Sequence, residues 1–237
     1  GLIKNVTISV QELDRALENG IWFDGSSVEG FSRIWESDMF LKPDPDTFAI
    51  IPWQSELTAR FICDVYDSNY QPSPVDPRGL LKRQLADIAK QNMKFMVGAE
   101  LEFYLFQREG TKITPLLTDQ GGYFDLDGDF ALPIRKEMCE KIAEFGISVE
   151  AAHHEVGKSQ HEIDLKYCDA LQMTDNILTA KIVIKRVAKE HNLYATFMPK
   201  PIFGMPGSGM HIHQSIFKNG KNFFVDSSDS YGLSKFA

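Results

Sequence analysis

The chain has 237 residues, of which 43% are apolar, enough for one or two domains with a sizeable core. Twenty-five basic residues against thirty-three acidic ones give a net charge of −8, which argues against nucleic acid or an anionic membrane surface as a partner and fits a site that collects cations. Three scattered cysteines, Cys63, Cys139 and Cys168, without CxxC spacing, argue against a disulfide framework or a structural zinc and point to a reducing, cytoplasmic setting.

No signal-peptide pattern opens the sequence, and no apolar run reaches the ~18–20 residues of a membrane span. Residues 1–70 read as a compact α+β domain. Asn5–Val10 alternates and predicts a strand. Gln11–Glu18 predicts a short helix, ended by Asn19-Gly20. Ile21-Trp22-Phe23 predicts a strand running into Asp24-Gly25-Ser26-Ser27. Thr47–Trp53 and Thr58–Asp67 predict two more, with a turn near Gln54–Glu56. Asn69–Pro77, with three prolines, predicts a linker.

The second domain, 71–237, opens with Asp76-Pro77, an acidic N-cap followed by proline at the first helical position, and a helical face to about Asn92. Val97–Phe106 then switches to a period of two: Leu101, Phe103 and Leu105 on one side, Glu100, Glu102 and Tyr104 on the other. Two carboxylates on one strand face lie roughly 7 Å apart. They are either a solvated edge or, with apolar neighbours around them, a place for a cation. Gly121–Phe124 reads as a turn with two aromatics, and 133–145 as a helix ended by Gly146. Strands are expected at 147–156, 161–167 and 195–198, and a long helix at 169–192. Met210–Phe217 alternates, so His211, His213 and Ser215 share a face. Asn219-Gly220 predicts a type I′ hairpin returning through 222–225.

Glu150–Glu162 holds three carboxylates and three histidines in thirteen residues: Glu150, His153, His154, Glu155, His161 and Glu162. Such crowding predicts a bound cation, because like carboxylates repel. Neighbouring motifs fail. Gly157-Lys158-Ser159 lacks the earlier glycine of a phosphate loop, His154-Glu155 lacks the second histidine of HExxH, and Asp125, Asp127 and Asp129 lack the glycine and glutamate of a calcium loop. A donor set rich in carboxylates and free of thiolates favours two Mg²⁺ or Mn²⁺ ions, and paired hard cations suit phosphoryl transfer. The residues alone therefore indicate a metal-dependent, nucleotide-using enzyme.

Five motif regions in order resemble the amino-terminal part of the type I glutamine synthetase family. They are FDGSSVEGF at 23–31 with ESDMFLKPD at 36–44, AELEFYLF at 99–106, GGYF at 121–124, EAAHHEVGKSQHEIDLKY at 150–167, and FMPKPIFG followed by GSGMHIHQS within 197–215. The resemblance implies a small β-grasp-like domain over 1–70. The amino-terminal part of an antiparallel-sheet catalytic domain with packed helices would follow over 71–237. It implies an ATP-dependent glutamate–ammonia ligase working through γ-glutamyl phosphate, with two or more Mg²⁺ or Mn²⁺ ions per site and ATP as co-substrate. By that resemblance Glu102, Glu155 and Glu162 match ligands of one metal, and Glu100 and His211 of the other. Glu150, His213, Gln214 and Ser215 match nucleotide contacts, with Tyr167 near the nucleoside. Pro206 and Gly207 fall where the substrate glutamate binds. Asp24, Tyr123 and Glu155 correspond to the ammonium pocket, with Asp24 reaching a neighbouring subunit to take a proton. A homo-oligomer, a dodecamer of two stacked hexamers, is implied. Pro206 departs from the family's usual Asn and brings no N–H, which keeps a related γ-glutamyl-amine ligase as an alternative. A catalytically dead structural or regulatory member is the other. The family's carboxyl-terminal half has no counterpart here, so the chain by itself is expected to be inactive.

Overall fold

The structure is a computed structural model that describes residues 3–28, 37–54, 56–116 and 119–237. Motif residues 29–31, Glu36 and position 55 of the expected turn lie outside the described residues. The chain divides into two compact units, Gly1–Met93 and Lys94–Ala237.

In the first unit, helix α1 (Leu13–Asn19) follows a single 3₁₀ turn, Val10–Glu12, capped by Ser9. The strand expected at Asn5–Val10 is not formed. Residues 3–9 have no regular structure, and Val6 and Val10 are exposed. A strand needs a neighbour for its N–H and C=O groups, and none of the described residues pairs with this segment. Strands β1 (Ile21–Asp24), β2 (Asp38–Ile50) and β3 (Ala59–Asp67) make an antiparallel sheet in the order β1-β2-β3. β2 starts well before the expected Thr47 and runs through two prolines. Pro43 sits past the end of β1, which stops opposite Leu41. Pro45 falls in the register irregularity between Asp44 and Ala49, and both are positions a sheet tolerates.

Asn69–Pro77 is not the loose linker its prolines suggested. Pro72 bridges to Tyr66, Ser73 N–H donates to the Val65 carbonyl, and the buried Asp76 carboxylate accepts from Val65 N–H and Arg78 N–H. The segment is strapped to β3. Helix α2 (Pro77–Ala89) then sends Arg78 and Lys82 onto the sheet. Arg78 lies 2.8 Å from Asp44 and 2.5 Å from Asp64, and Lys82 lies 3.2 Å and 2.5 Å from the same pair.

The second unit is built on β4 (Met93–Glu109) and its hairpin partner β5 (Lys112–Pro115). After helix α3 (Leu132–Ala143) come β6 (Val149–His154), β7 (Gln160–Asp169), helix α4 (Ala170–Glu190), β8 (Leu193–Thr196), β9 (Ile212–Lys218) and β10 (Lys221–Asn222). The sheet order is β10-β9-β4-β7-β6, with β5 and β8 also pairing to β4. Leu101, Phe103, Leu105, Ile163 and Leu165 are buried. So is the expected stripe of α4 at Met173, Ile177, Ala180, Ile184 and Val187. Both hairpin-turn residues, Asn219 and Gly220, have the positive φ of a type I′ turn, but β10 is only two residues long where four were expected. No helix among the described residues is long and apolar enough to cross a membrane.

Candidate active site

β4, β7 and β6 lie side by side, and their register decides what the sheet presents. Glu102 stands opposite Glu162, which stands opposite His153, while Glu100 faces Asp164. Because side chains alternate, these five share one face. The positions between them, Phe103, His161 and His154, form a row on the other face. The crowded stretch 150–162 therefore does not make a single cluster, as its sequence suggested: His154 and His161 turn away from Glu162 and His153.

On the acidic face, His211 precedes β9 and is tied to β4 by the Glu100 N–H donating to its carbonyl. Its Nδ1 lies 2.9 Å from one Glu100 oxygen, and His213 Nε2 lies 2.6 Å from the other. Glu102 Oε1 is 4.0 Å from the same His211 nitrogen. Donor atoms of Glu100, Glu162 and His211 all lie within 4.8 Å of one another, as do those of His153, Glu155 and Glu162. The five residues singled out as metal ligands, Glu100, Glu102, Glu155, Glu162 and His211, thus converge. His153 joins them, and its signal was register: it is the cross-strand neighbour of Glu162.

The electrostatics show what this face lacks. The Glu162 carboxyl is pushed up to about 9 by burial and then by the Glu155, Asp164 and Glu102 carboxylates. Burial also raises Asp164, with Glu100 and Glu150 adding to it against His153, and Asp164 Oδ1 is buried without a hydrogen-bond partner. For Glu100, burial is outweighed by the hydrogen bonds of His213 and His211, and the net shift is down. Carboxylates that must take up protons to coexist are a donor set that fits hard divalent cations.

The opposite face has its charge supplied. Asp129 holds Arg135 of α3 through two contacts, 3.2 and 2.7 Å, and the same guanidinium donates to His161 Nδ1 at 3.0 Å. That leaves His161 Nε2 protonated, 3.1 Å from Asp119, and the imidazole neutral. His154 donates from Nδ1 to the Glu155 carbonyl and from Nε2 to Asp119, so it is an imidazolium. Burial lowers both histidines. For His154 the Asp119 carboxylate and the Glu155 carbonyl reverse the sign, whereas His161 stays low. Asp119, Asp129, His154 and His161 are close enough to hold an ion, but Arg135 already occupies that role. Neither Asp119 nor Arg135 stood out in the sequence.

Nearly all of the chain matches one family: residues 1–68 match the glutamine synthetase β-grasp domain and residues 74–237 the glutamine synthetase catalytic domain. The chain belongs to the glutamine synthetase family. It is 50% identical over its full length to a glutamine synthetase of Clostridium saccharobutylicum and 48% identical to one of Staphylococcus aureus (strain MW2). It spans about half the length of these curated relatives, 54% in each case. A ligand-free GmaS structure superposes with a TM-score of 0.87 at 30% identity, covering 96% of this chain and 54% of that one. Plasmodium falciparum glutamine synthetase gives 0.85 at 30% identity, covering 96% and 50%.

The other residues that the glutamine synthetase resemblance singles out are spread more widely. Tyr123, half exposed, stacks beside Phe124 and meets the His153 ring edge-on at 5.4 Å, which brings it to the acidic face. Glu150 is exposed at the irregularity between Val149 and Ala151. Tyr167 and His213 flank Gly98, where a Cβ would come 3.5 and 3.8 Å from theirs. Gln214 is exposed and Ser215 half-buried on the same strand. The Pro206 carbonyl accepts from Tyr104 and the Gly207 carbonyl from Gln160. Asp24 belongs to the first unit and accepts from Ser26 N–H, Ser26 Oγ and Ser27 Oγ. These hydrogen bonds hold its carboxyl low and make Asp24 the cap of its own turn.

Proposed function

We propose that the protein carrying this chain is an ATP-dependent glutamate–ammonia ligase. ATP would phosphorylate the side-chain carboxylate of glutamate, and ammonia would displace phosphate from γ-glutamyl phosphate, giving glutamine, ADP and phosphate. The observation that carries the reading is the acidic face: four glutamates and His211 converge, and Glu162 is charged only at high pH unless a cation joins it. Glu102, Glu155 and Glu162 would hold one Mg²⁺ or Mn²⁺ ion, and Glu100 and His211 another. When bound, such ions screen the repulsion between phosphates and the attacking carboxylate.

The chain's own groups supply binding and proton handling. Glu150, Tyr167, His213, Gln214 and Ser215 would receive the nucleotide; a GmaS structure in complex with ADP superposes at TM-score 0.85 and 30% identity, which supports nucleotide use. Pro206 and Gly207 would meet the substrate glutamate. Tyr123 and Glu155 would line the ammonium pocket, completed by Asp24 of a neighbouring subunit, whose low-lying carboxylate would take the proton that ammonium must lose before attack. A homo-oligomer with shared sites, a dodecamer in the family, is part of this reading. Three free, half-buried cysteines support a reducing, cytoplasmic setting.

The test is glutamine formation by the full-length protein from glutamate, ATP and ammonium, with Mn²⁺ binding followed by calorimetry. Preference for another amine over ammonium would replace this reading with the γ-glutamyl-amine ligase. No Mn²⁺ binding at all would sink both.

A further inference from the structure

We propose that Gln160 and Tyr104 are a positioning pair that fixes the loop at residues 206–209 to the metal-facing carboxylate of Glu102. The proposal rests on the ligase reading, in which that loop meets glutamate and Glu102 holds a cation. Gln160, at the start of β7, is 1% exposed. Its Nε2 donates to Glu102 Oε2 and to the Gly207 carbonyl, each at 2.9 Å, and its Oε1 accepts from Gly157 N–H at 3.0 Å. The opposite amide orientation would set oxygen against carboxylate and N–H against N–H, so the contacts assign it.

Tyr104 is fully buried on β4 beside it. It has one proton to give, and the Pro206 carbonyl at 2.7 Å takes it in preference to Gln160 Oε1 at 3.3 Å. Two successive loop carbonyls, 206 and 207, are thus held by two side chains of the sheet. The packing leaves no slack: a Cβ on Gly157 would collide with the Tyr104 hydroxyl and lie 2.7 Å from Gln160 Oε1. On the loop itself, a Cβ on Gly209 would come 3.0 Å from Glu102 Oε1. The carboxylate and the loop therefore share one buried anchor, and neither shifts without the other.

The experiment uses the full-length protein with Tyr104→Phe, which removes one hydroxyl, and Gln160→Met, which removes the amide at similar volume. Tyr104→Phe is expected to raise the KM for glutamate about five-fold, with the KM for ATP and Mn²⁺ affinity unchanged. Gln160→Met is expected to raise the glutamate KM and weaken Mn²⁺ binding, each about ten-fold. General loss of fold would not leave the ATP KM in place. Absence of turnover in the unmutated protein would count against the ligase reading. Mn²⁺ binding by Gln160→Met equal to the unmutated protein would overturn the pairing with Glu102, with or without turnover, and an unchanged glutamate KM in both variants would overturn the hold on the loop.

Discussion

Each unit of this protein gathers acidic side chains on a sheet, and the two do so with opposite outcomes. In the first unit Asp44 and Asp64 meet Arg78 and Lys82, two acids with two bases, and the charges close on themselves. In the second unit Glu100, Glu102, Glu155, Glu162 and Asp164 meet, among the described residues, His153, His211 and His213 rather than a lysine or an arginine. The closed cluster joins a helix to a sheet. The open one is left with charge that the described residues do not match and that a bound cation would balance. Acid clusters are therefore told apart by counting the bases that reach them, not by counting acids.

The comparison breaks most sharply where a base is deleted. Arg78→Met leaves two half-buried carboxylates with Lys82 alone and should cost about 3 kcal/mol in urea unfolding, with Mn²⁺ binding unchanged. Deleting an acid from the open cluster should do the reverse: Glu155→Gln and Glu162→Gln should each weaken Mn²⁺ about 100-fold by calorimetry while the protein stays folded. Mn²⁺ at a hundred times its dissociation constant should stabilise the unmutated protein by about 2.7 kcal/mol, and Glu162→Gln should lose most of that. Without metal at neutral pH, Glu162→Gln should be more stable than the parent by up to about 1 kcal/mol, because the amide is spared the cost of keeping a buried carboxyl protonated far above its usual range.

The smallest effect is in acid. Burial raises the Asp44 carboxyl, but Arg78 and Lys82 outweigh it and hold it below its usual 3.8. Its contribution is complete above that value and is lost as pH falls through the lower folded one. The stability gap between the parent and Arg78→Met should therefore narrow below about pH 4 in thermal melts.

Much of this was legible in the sequence, and the failures share a cause. The period of two in 97–106 and 161–167 places Glu100, Glu102, Glu162 and Tyr104 on their strands, and Asp76-Pro77 starts its helix as expected, whereas α3 ends at Ala143, two residues short of the expected 145, and Gly146 closes the turn after it. What periodicity within one strand omits is the neighbour. Asn5–Val10 alternates but finds no partner among the described residues, whereas Asp38–Asp46, interrupted by prolines, finds β1 and β3 and becomes a strand. His153 and His154 are adjacent, so their opposite faces were readable. That His153 meets Glu162 while His154 meets Asp119, 35 residues away, depends on register and a distant loop. Arg135 reaches His161 across 26 residues, beyond any local pattern.

The two-faced row on β7 also limits how this gene can change. Adding or deleting a single residue between Gln160 and Leu165 would slip the strand by one pleat and exchange its sides. Glu162 would be driven in among the helices, where Arg135 now meets an imidazole, and His161 would surface among the carboxylates. The hairpin tip at Asn219-Gly220 has no such obligation, so length variation among relatives should collect there and be missing from the Gln160–Leu165 part of β7.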